Sequence, residues 1–305
     1  MRADVAGAPV SFGVFEMTPE GSATVEPDAL LEVLVETGYS GVDLGPLGFL
    51  GEGAGLARRL SRFGLDLAGG WIQLPLTDDE AFESSLEELD EVLRTFAAAT
   101  ESGPARLPLP TLADLGSPAR AASPGRGAEA DPLPDDVAQR LYDNLARAAG
   151  IVRDVGFEPT FHHHAGTFVE SPGEIDAFLE HTDVGLTLDT GHLAIAGGDP
   201  VEAVERWGSR INHLHLKDVD RPRLDEILAA GGGMTEVWSG GSFVPFGQGG
   251  IDLTRVMTLL DAAAYDGWVV VEQDVLNDPS VDLETFLSEC RDAHRVNREA
   301  LRAWA

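Results

Sequence analysis

The fold is indicated most clearly by the stretch Val184-Gly-Leu-Thr-Leu-Asp-Thr-Gly-His192, an apolar run that ends on an acid and a histidine. Three other apolar runs end in a similar way: Phe157-Glu-Pro-Thr-Phe-His-His-His164, Ile211-Asn-His-Leu-His-Leu-Lys-Asp218 and Trp268-Val-Val-Val-Glu-Gln-Asp274. Short apolar runs of this kind are typical of buried parallel strands. Because the carboxyl ends of parallel strands meet on one side of a sheet, we expect these acids and histidines to converge.

Strand-like and helix-like segments alternate along the rest of the chain. Earlier strands are predicted at residues 10–16, 41–44, 66–73 and 105–109, and the four runs above supply strands five to eight. Helices are predicted at residues 26–36, 54–63, 79–100, 135–155, 173–181, 200–207, 253–264 and 282–300. This alternation predicts an α/β fold, a single (β/α)8 TIM barrel over residues 1–305. A doubly wound open sheet is the alternative, but no Gly-rich phosphate turn follows the first predicted strand.

Two segments interrupt the alternation, and we predict loop insertions there, at about residues 113–135 and 219–250. Both fall on the side of the barrel where the strands end. Long loops inside a compact domain are often lids or parts of a site. The first insertion is rich in Gly, Pro, Ala and Ser, which is equally typical of a mobile surface loop. The second carries Trp238, Phe243 and Phe246, which favour a packed segment.

Composition argues against several classes of function. The chain has 305 residues, of which 43% are hydrophobic, and a formal charge of −31. Such a charge repels phosphate backbones, so no nucleic-acid partner is expected. No apolar run approaches the ~18 residues of a membrane span, and the first residues lack the layout of a signal peptide. Because Cys290 is the single cysteine, no internal disulfide can form, and we expect a cytoplasmic protein without a membrane partner.

The strand ends carry metal-ligand chemistry. Asp189 and Glu272 each close an apolar run, where a carboxylate is costly to bury unless it is paired or bound to a metal. His213 and His215 lie on one face of their strand, because side chains alternate along a strand. Histidine and carboxylate ligands suit Mn²⁺, Co²⁺, Mg²⁺, Zn²⁺ or Fe²⁺. The sequence therefore predicts a site for one of these divalent metals.

Several segments also carry a resemblance to a known family. They are Thr160-Phe-His-His-His-Ala-Gly-Thr-Phe-Val-Glu170, Leu188-Asp-Thr-Gly-His192, His213-Leu-His-Leu-Lys-Asp218, Phe243-Val-Pro-Phe-Gly-Gln-Gly249 and Gly267-Trp-Val-Val-Val-Glu-Gln-Asp274. Together they resemble the xylose-isomerase-like TIM-barrel superfamily of sugar isomerases and epimerases, and most of all its inosose dehydratase branch. The opening Pro9-Val-Ser-Phe-Gly-Val-Phe-Glu16 is similar to the first strand of that branch. The resemblance covers about residues 8–275.

The resemblance implies one divalent metal, with Mn²⁺ or Co²⁺ favoured, held by His162, Asp189, His215 and Glu272. His162 stands where the family usually has a glutamate. His164 and Glu170 therefore stay open as alternatives for this ligand from the fifth strand.

The resemblance also implies the catalytic and substrate-binding groups. His164, His192 or Glu272 is the expected base, and Lys217 or a histidine is expected to protonate the leaving hydroxyl. The expected substrate contacts are Trp71, His213, Asp218 and Glu16.

The function that this implies is a metal-dependent lyase or isomerase acting through an enediolate on a cyclic polyol ketone or keto sugar. Dehydration of inosose (2-keto-myo-inositol) is the first expectation. A sugar isomerase, a ketose 3-epimerase or a lyase of keto glycosides is the alternative, and a non-catalytic metal- or sugar-binding barrel is another. The superfamily also includes apurinic-site endonucleases, which the charge of −31 disfavours. Assembly into a homo-oligomer is left open.

Overall fold

A computed structural model describes residues 3–15, 18, 24–101 and 103–304 of the chain. The strands of these residues are β1 (Asp4–Gly7), β2 (Gly41–Val42), β3 (Asp66–Leu67), β4 (Gly69–Leu74), β5 (Leu109–Asp114), β6 (Thr160–His162), β7 (Gly185–Asp189), β8 (Ile211–Leu216), β9 (Asp218–Val219), β10 (Phe243–Val244) and β11 (Trp268–Val271). Their α-helices are α1 (Pro27–Thr37), α2 (Gly53–Phe63), α3 (Asp79–Thr100), α4 (Pro118–Ala121), α5 (Gly127–Ala130), α6 (Asp135–Asp154), α7 (Pro172–His181), α8 (Thr190–Ile195), α9 (Pro200–Trp207), α10 (Arg221–Ala229), α11 (Met234–Ser239), α12 (Leu253–Ala262) and α13 (Leu283–Ala300).

Parallel pairing closes the main sheet into a barrel. Nine strand segments pair in the order β3-β2-β1-β11-β8-β7-β6-β5-β4, all in parallel. β3 and β4 are separated only by Ala68, so the two ends of this order are halves of one strand. The segments therefore form an eight-stranded barrel surrounded by helices, which confirms the predicted TIM-barrel fold.

Side-chain alternation separates the outer core from the barrel interior. Val269 and Val271 pair in register with Leu214 and Leu216, and all four belong to the large apolar core between strands and helices. Val270 is in register with His215, so both face the barrel axis. Val270 packs there in a smaller cluster with Ala6, Ala8, Ala68 and Trp268. Apolar side chains therefore fill the barrel interior on one side of His215.

The first strand lies earlier than predicted. It spans Asp4–Gly7, whereas Pro9–Phe12, which overlap the start of the predicted strand at residues 10–16, form a 3-10 helix. Pro9 has no backbone N–H for a strand ladder, and its fixed φ suits the first position of a helix. Gly13 ends this helix with φ of 70°, a left-handed conformation that glycine adopts without strain.

The fourth barrel strand lies later than predicted, at Leu109–Asp114 rather than at residues 105–109. Arg106 explains the shift, because its guanidinium forms ion pairs with Asp4 (2.9 Å) and Asp266 (2.6 Å) in the connection that precedes the strand. These contacts hold the connection at the amino ends of the strands. The third predicted strand, residues 66–73, is observed as β3 and β4.

Both predicted insertions are folded segments. The first contains α4 and α5, and the fully buried Arg120 donates hydrogen bonds to the carbonyls of Asp131 (2.9 Å) and Thr167 (3.1 Å). The second contains α10, α11 and the antiparallel ribbon of β9 and β10. In the described chain, no helix is long and apolar enough to cross a membrane.

The packing between β6 and α7 yields a stability prediction. Phe161 is fully buried and its ring stacks on Phe178 with centroids 4.5 Å apart. We expect Phe161→Ala to lower the free energy of unfolding by about 3–5 kcal/mol, because it removes buried apolar area and leaves a cavity. Urea denaturation followed by circular dichroism measures this difference. Val155→Ala, at a side chain that is 49% exposed, is the control and should change it by less than about 0.5 kcal/mol. Equal losses in the two variants would contradict the assignment of Phe161 to the core.

Candidate metal centre and active site

The four predicted metal ligands come together at the carboxyl ends of the strands. His162 is the last residue of β6, Asp189 the last of β7, and Glu272 directly follows β11. His215 lies one residue before the end of β8. Since all four strands run in the same direction, these ends meet at the same barrel face, beside a cavity of about 870 Å³.

The distances within this group fit a single cation. His162 Nε2 lies 3.4 Å from Asp189 Oδ2, and His215 Nδ1 lies 3.0 Å from Glu272 Oε2. His162, Asp189 and His215 each offer one ligand atom, and these atoms lie within 4.8 Å of one another. All of these side chains are buried. Neutral imidazole nitrogens and carboxylate oxygens at such spacing are suited to a divalent metal.

Lys217 lies against the same carboxylates. Its Nζ is 2.6 Å from Asp189 Oδ2, is hydrogen-bonded to Glu272 Oε2, and is 3.3 Å from Asp274 Oδ1. Burial lowers the pKa of this ammonium, but the neighbouring carboxylates Asp189 and Asp274 outweigh it and raise the pKa well above its ordinary value. Lys217 is therefore a charged group that lines the cavity, as its sequence position predicted.

The ligand carboxylates are held in their ionised form. Burial raises the pKa of Glu272, but His215 and Lys217 outweigh it and bring the pKa below the ordinary value. Burial likewise raises the pKa of Asp189, and the charge of Lys217 then brings the pKa well below its ordinary range. Ionised oxygens are the form that binds a metal.

Two predicted catalytic histidines lie beside this group. The rings of His164 and His192 are 3.6 Å apart between centroids, and both line the cavity. His164 Nδ1 lies 2.7 Å from the carbonyl oxygen of Ala165, which assigns the proton to Nδ1 and leaves Nε2 with a free lone pair. His192 Nε2 lies 3.6 Å from Asp274 Oδ2. Trp71 contacts His164 edge-on at 5.1 Å and also lines the cavity.

Two predicted substrate contacts are not placed in the cavity lining. Asp218 is fully buried, and its carboxylate accepts backbone N–H groups from Val219, Gly247, Gly249 and Ile251 at 2.8–3.2 Å. It therefore fixes the connection that follows β10, and the prediction that it binds substrate is corrected. His213 is also fully buried, in a cluster with Asp43 and His215. Glu16 lies outside the described residues.

Glu170, the alternative metal ligand, binds backbone N–H groups of neighbouring loops. Its carboxylate accepts backbone N–H groups from Gly125 (3.1 Å), Gly127 (2.6 Å) and Gly166 (2.7 Å). These bonds tie the first insertion to the loop after β6. Glu170 is thereby excluded as the metal ligand from the fifth barrel strand, whereas the position of His162 fits that role.

Sequence reasoning missed three residues of this site. Asp274 lines the cavity between Lys217 and His192, and Asp43 lines it 3.8 Å from His215 Nε2. His163 accepts the backbone N–H of Asp189 at its Nε2, 3.1 Å away, and burial lowers its pKa to about 3. A signal existed for the two acids, because Asp43 directly follows β2 and Asp274 lies two residues after Glu272, which closes the last apolar run. The alternation of side chains along the predicted strand does not distinguish His163 from a core residue.

The chain was then compared with known proteins. The model of the xylose isomerase-like TIM barrel family matches residues 31–285. An inosose dehydratase of Geobacillus kaustophilus (strain HTA426) is 32% identical over 269 residues, which cover 83% of this chain and 81% of the relative. The rhizopine catabolism protein MocC of Rhizobium meliloti is 34% identical over 280 residues, 86% of this chain and 78% of the relative. The crystal structure of the IolI protein with a zinc atom has a TM-score of 0.70 at 14% identity and covers 99% of both chains, a likeness of fold.

The ligand from the fifth barrel strand can be tested directly. We expect His162→Ala to weaken Mn²⁺ binding more than about 100-fold, since loss of an outer-shell partner alone costs 10–100-fold. His164→Gln, two residues further along, is the matched control and should keep the affinity within about threefold, because the ring of His164 donates its hydrogen bond to the carbonyl oxygen of Ala165 rather than to a ligand. Isothermal titration calorimetry on metal-stripped protein measures both. If His164→Gln lost the metal and His162→Ala kept it, the ligand assignment would be reversed.

Asp114 provides a prediction of pH dependence. It accepts the backbone N–H groups of Gly116 (3.0 Å) and Phe168 (2.8 Å), and burial raises its pKa from 3.8 to about 6. Because the folded state binds this proton more tightly, stability from Asp114 falls as the pH rises through this interval.

We therefore expect Asp114→Asn, which cannot ionise, to gain about 2–3 kcal/mol over the wild type between about pH 4 and pH 7. Urea unfolding at a series of pH values measures this difference. Val155→Ala, which removes no ionisable group, is the control and should give a difference that is flat with pH. A flat difference for Asp114→Asn as well would show that the Asp114 carboxyl is not perturbed.

Proposed function

Because the chain belongs to the xylose isomerase-like TIM barrel family, we propose that it is a divalent-metal-dependent lyase that dehydrates inosose, 2-keto-myo-inositol. The observation that carries this proposal is the buried group of His162, Asp189, His215 and Glu272 beside His164 and Lys217. The similarity to an inosose dehydratase over 83% of the chain supports the choice of substrate. A cyclic polyol ketone also suits a cavity whose inner end carries many hydrogen-bonding groups.

The metal would be held by His162, Asp189, His215 and Glu272, and their chemistry fits one. His162 Nδ1 and His215 Nε2 are buried and lack a hydrogen-bond partner among the described residues. When bound, a divalent cation supplies positive charge that stabilises the negative charge of an enediolate on neighbouring substrate oxygens. Mn²⁺ and Co²⁺ are the first candidates. Mg²⁺, Zn²⁺ and Fe²⁺ also bind histidine or carboxylate ligands, so a test should include them.

His164 is the proposed base for the proton next to the ketone. Its Nδ1 proton is directed to the carbonyl oxygen of Ala165, so the ring is fixed in orientation and Nε2 carries the lone pair that accepts a proton. The edge of Trp71 contacts the ring of His164 and limits its rotation. Burial lowers the pKa of His164 to about 3, so its neutral, basic form is populated at neutral pH.

The departing hydroxyl requires a proton and a compensating positive charge. Lys217 lines the cavity as a buried ammonium and can stabilise the leaving oxygen. We propose that His192, which lies between His164 and Asp274, passes on a proton from Asp274, because burial raises the pKa of that carboxyl to about 7. The base removes the α-proton, the carbon–oxygen bond on the next carbon breaks, and water leaves, so the reaction needs no oxidant.

The removal of the α-proton is shared with isomerases and epimerases, so the test must follow both steps. Metal-loaded protein is incubated with 2-keto-myo-inositol in D₂O, with proton exchange followed by NMR and the dehydrated dione by absorbance and mass. We expect dione formation that requires metal and falls at least about 100-fold in His164→Gln, since general base catalysis contributes about 10²–10⁴-fold.

Val155→Ala is the control and should match the wild type, because its exposed side chain lies outside the cavity lining. Exchange without dione would favour an isomerase or epimerase. Neither exchange nor dione with any metal would refute the proposed function.

A further inference from the structure

A second group of potential metal ligands lies in the barrel interior, next to the first group. It consists of Asp43, His213 and His215, which each offer one ligand atom, and these atoms lie within 4.8 Å of one another. All three side chains are buried. Asp43 directly follows β2, whereas both histidines lie on β8, and β1 and β11 separate these two strands in the sheet. The group therefore joins two strands that do not pair with each other.

His213 is a buried histidine to which the first site gives no role. It is fully buried, and neither of its ring nitrogens has a hydrogen-bond partner within residues 3–15, 18, 24–101 and 103–304. A neutral imidazole carries one N–H donor and one lone pair. Polar atoms that stay unpaired in a protein interior cost free energy, and such cases call for an explanation. A cation at the lone pair of His213 would supply one.

The position of the His213 ring is fixed on the side of β4. A Cβ added at Gly69 would lie 3.1 Å from His213 Nε2 and 3.0 Å from the carbonyl oxygen of Leu109. Distances this short leave no room for a side chain, so the glycine lets the backbone of β4 approach the ring. A ligand whose position is already set by packing loses little freedom when a metal binds.

The two groups share His215 but use different nitrogens of its ring. Nδ1 lies 3.0 Å from Glu272 Oε2 and 3.8 Å from Asp189 Oδ2, in the first group. Nε2 lies 3.8 Å from Asp43 Oδ2, in the second group. A separation of 3.8 Å is too long for a hydrogen bond. It suits two atoms that bind the same ion, since each lies about 2.0–2.2 Å from a bound Zn²⁺.

We propose that Asp43, His213 and His215 form a second cation site, which takes a divalent ion such as Zn²⁺ or Co²⁺ and shares His215 with the first site as a bridging ligand. Two imidazoles and one carboxylate suit these ions better than Mg²⁺ or Ca²⁺, which prefer oxygen ligands. Because His215 then binds an ion through each ring nitrogen, its ring releases its remaining N–H proton to solvent when the second ion binds.

The ion can reach this site from the barrel mouth. Asp43 and His215 both line the cavity, so water and ions can approach them from there. Zinc sites with three protein ligands commonly complete their coordination with a water molecule. An ion held in this way would link β2 to β8 and fix the ring of His215, as a neighbouring carboxylate often does for a metal-binding histidine. The proposal concerns metal binding and does not depend on the reaction of the first site.

A titration of metal-stripped protein with Co²⁺ tests the proposal. The solution contains about 0.5 M NaCl, which screens the acidic surface and suppresses weak binding there. Visible absorption counts the ions bound to nitrogen ligands, because hydrated Co²⁺ on the surface absorbs only weakly. We expect two strongly absorbing Co²⁺ ions per chain. The second ion should also raise the melting temperature in proportion to its affinity, because it binds the folded state.

Variants on two different elements locate the second ion. Asp43→Asn and His213→Gln should each leave one strongly absorbing Co²⁺ per chain, with the affinity for the second ion weakened more than about 100-fold, since even loss of an outer-shell partner costs 10–100-fold. Val155→Ala, outside the cavity lining, is the control and should bind two ions. Circular dichroism checks the folding of each variant, and either folded variant is sufficient.

One strongly absorbing Co²⁺ per wild-type chain would overturn the proposal. Two such ions in the wild type and in both variants would also overturn it, because the second ion would then lie elsewhere. Neither result bears on the dehydration of inosose, which is measured separately, so the proposed function and the second cation site can fail independently.

Discussion

The barrel mouth depends on the neutralisation of two buried carboxylates. Asp189 is fully buried and Glu272 is 7% exposed, and ions in such places are stable only with partners of opposite charge. Their partners are His162 on β6, His215 on β8, and Lys217, the residue after β8. Asp189 is the last residue of β7, and Glu272 follows β11. These four strands are consecutive neighbours in the sheet, and their parallel pairing brings the charges together. The same charge balance creates the candidate cation site and places Lys217 beside it.

Other buried acids organise the loops around this centre. Glu170 and Asp218 each accept several backbone N–H groups, and so they replace the hydrogen bonds that irregular loops would otherwise lack. Glu170 orders the first insertion, and Asp218 orders the end of the second. Part of the cavity lining follows from this, because it comes from α4 and α11, which these insertions contribute. These hydrogen bonds therefore hold loop segments of the barrel mouth in place where the chain forms no helix or strand.

The accuracy of prediction followed the strength of the local pattern. The strands that end at His162, Asp189 and near His215 were found because each is a short apolar run with a polar end. The first strand, Asp4–Gly7, is too short and too poor in large apolar residues to stand out, and the more apolar segment after it forms a 3-10 helix behind Pro9. The strand Leu109–Asp114 was displaced in the prediction because Arg106 finds its ion-pair partners more than 100 positions away.

The sequence by itself determined the number and direction of the barrel strands, the residue types at their ends, and therefore the presence of a candidate metal-ligand set. Only the tertiary structure decided the role of each carboxylate. Asp189 and Asp218 both follow apolar runs, yet one faces histidines of neighbouring strands and the other faces backbone N–H groups of a distant loop. The role of an acid depends on the groups within hydrogen-bonding distance, and here those groups come from distant parts of the chain that only strand pairing and the packing of the second insertion bring near.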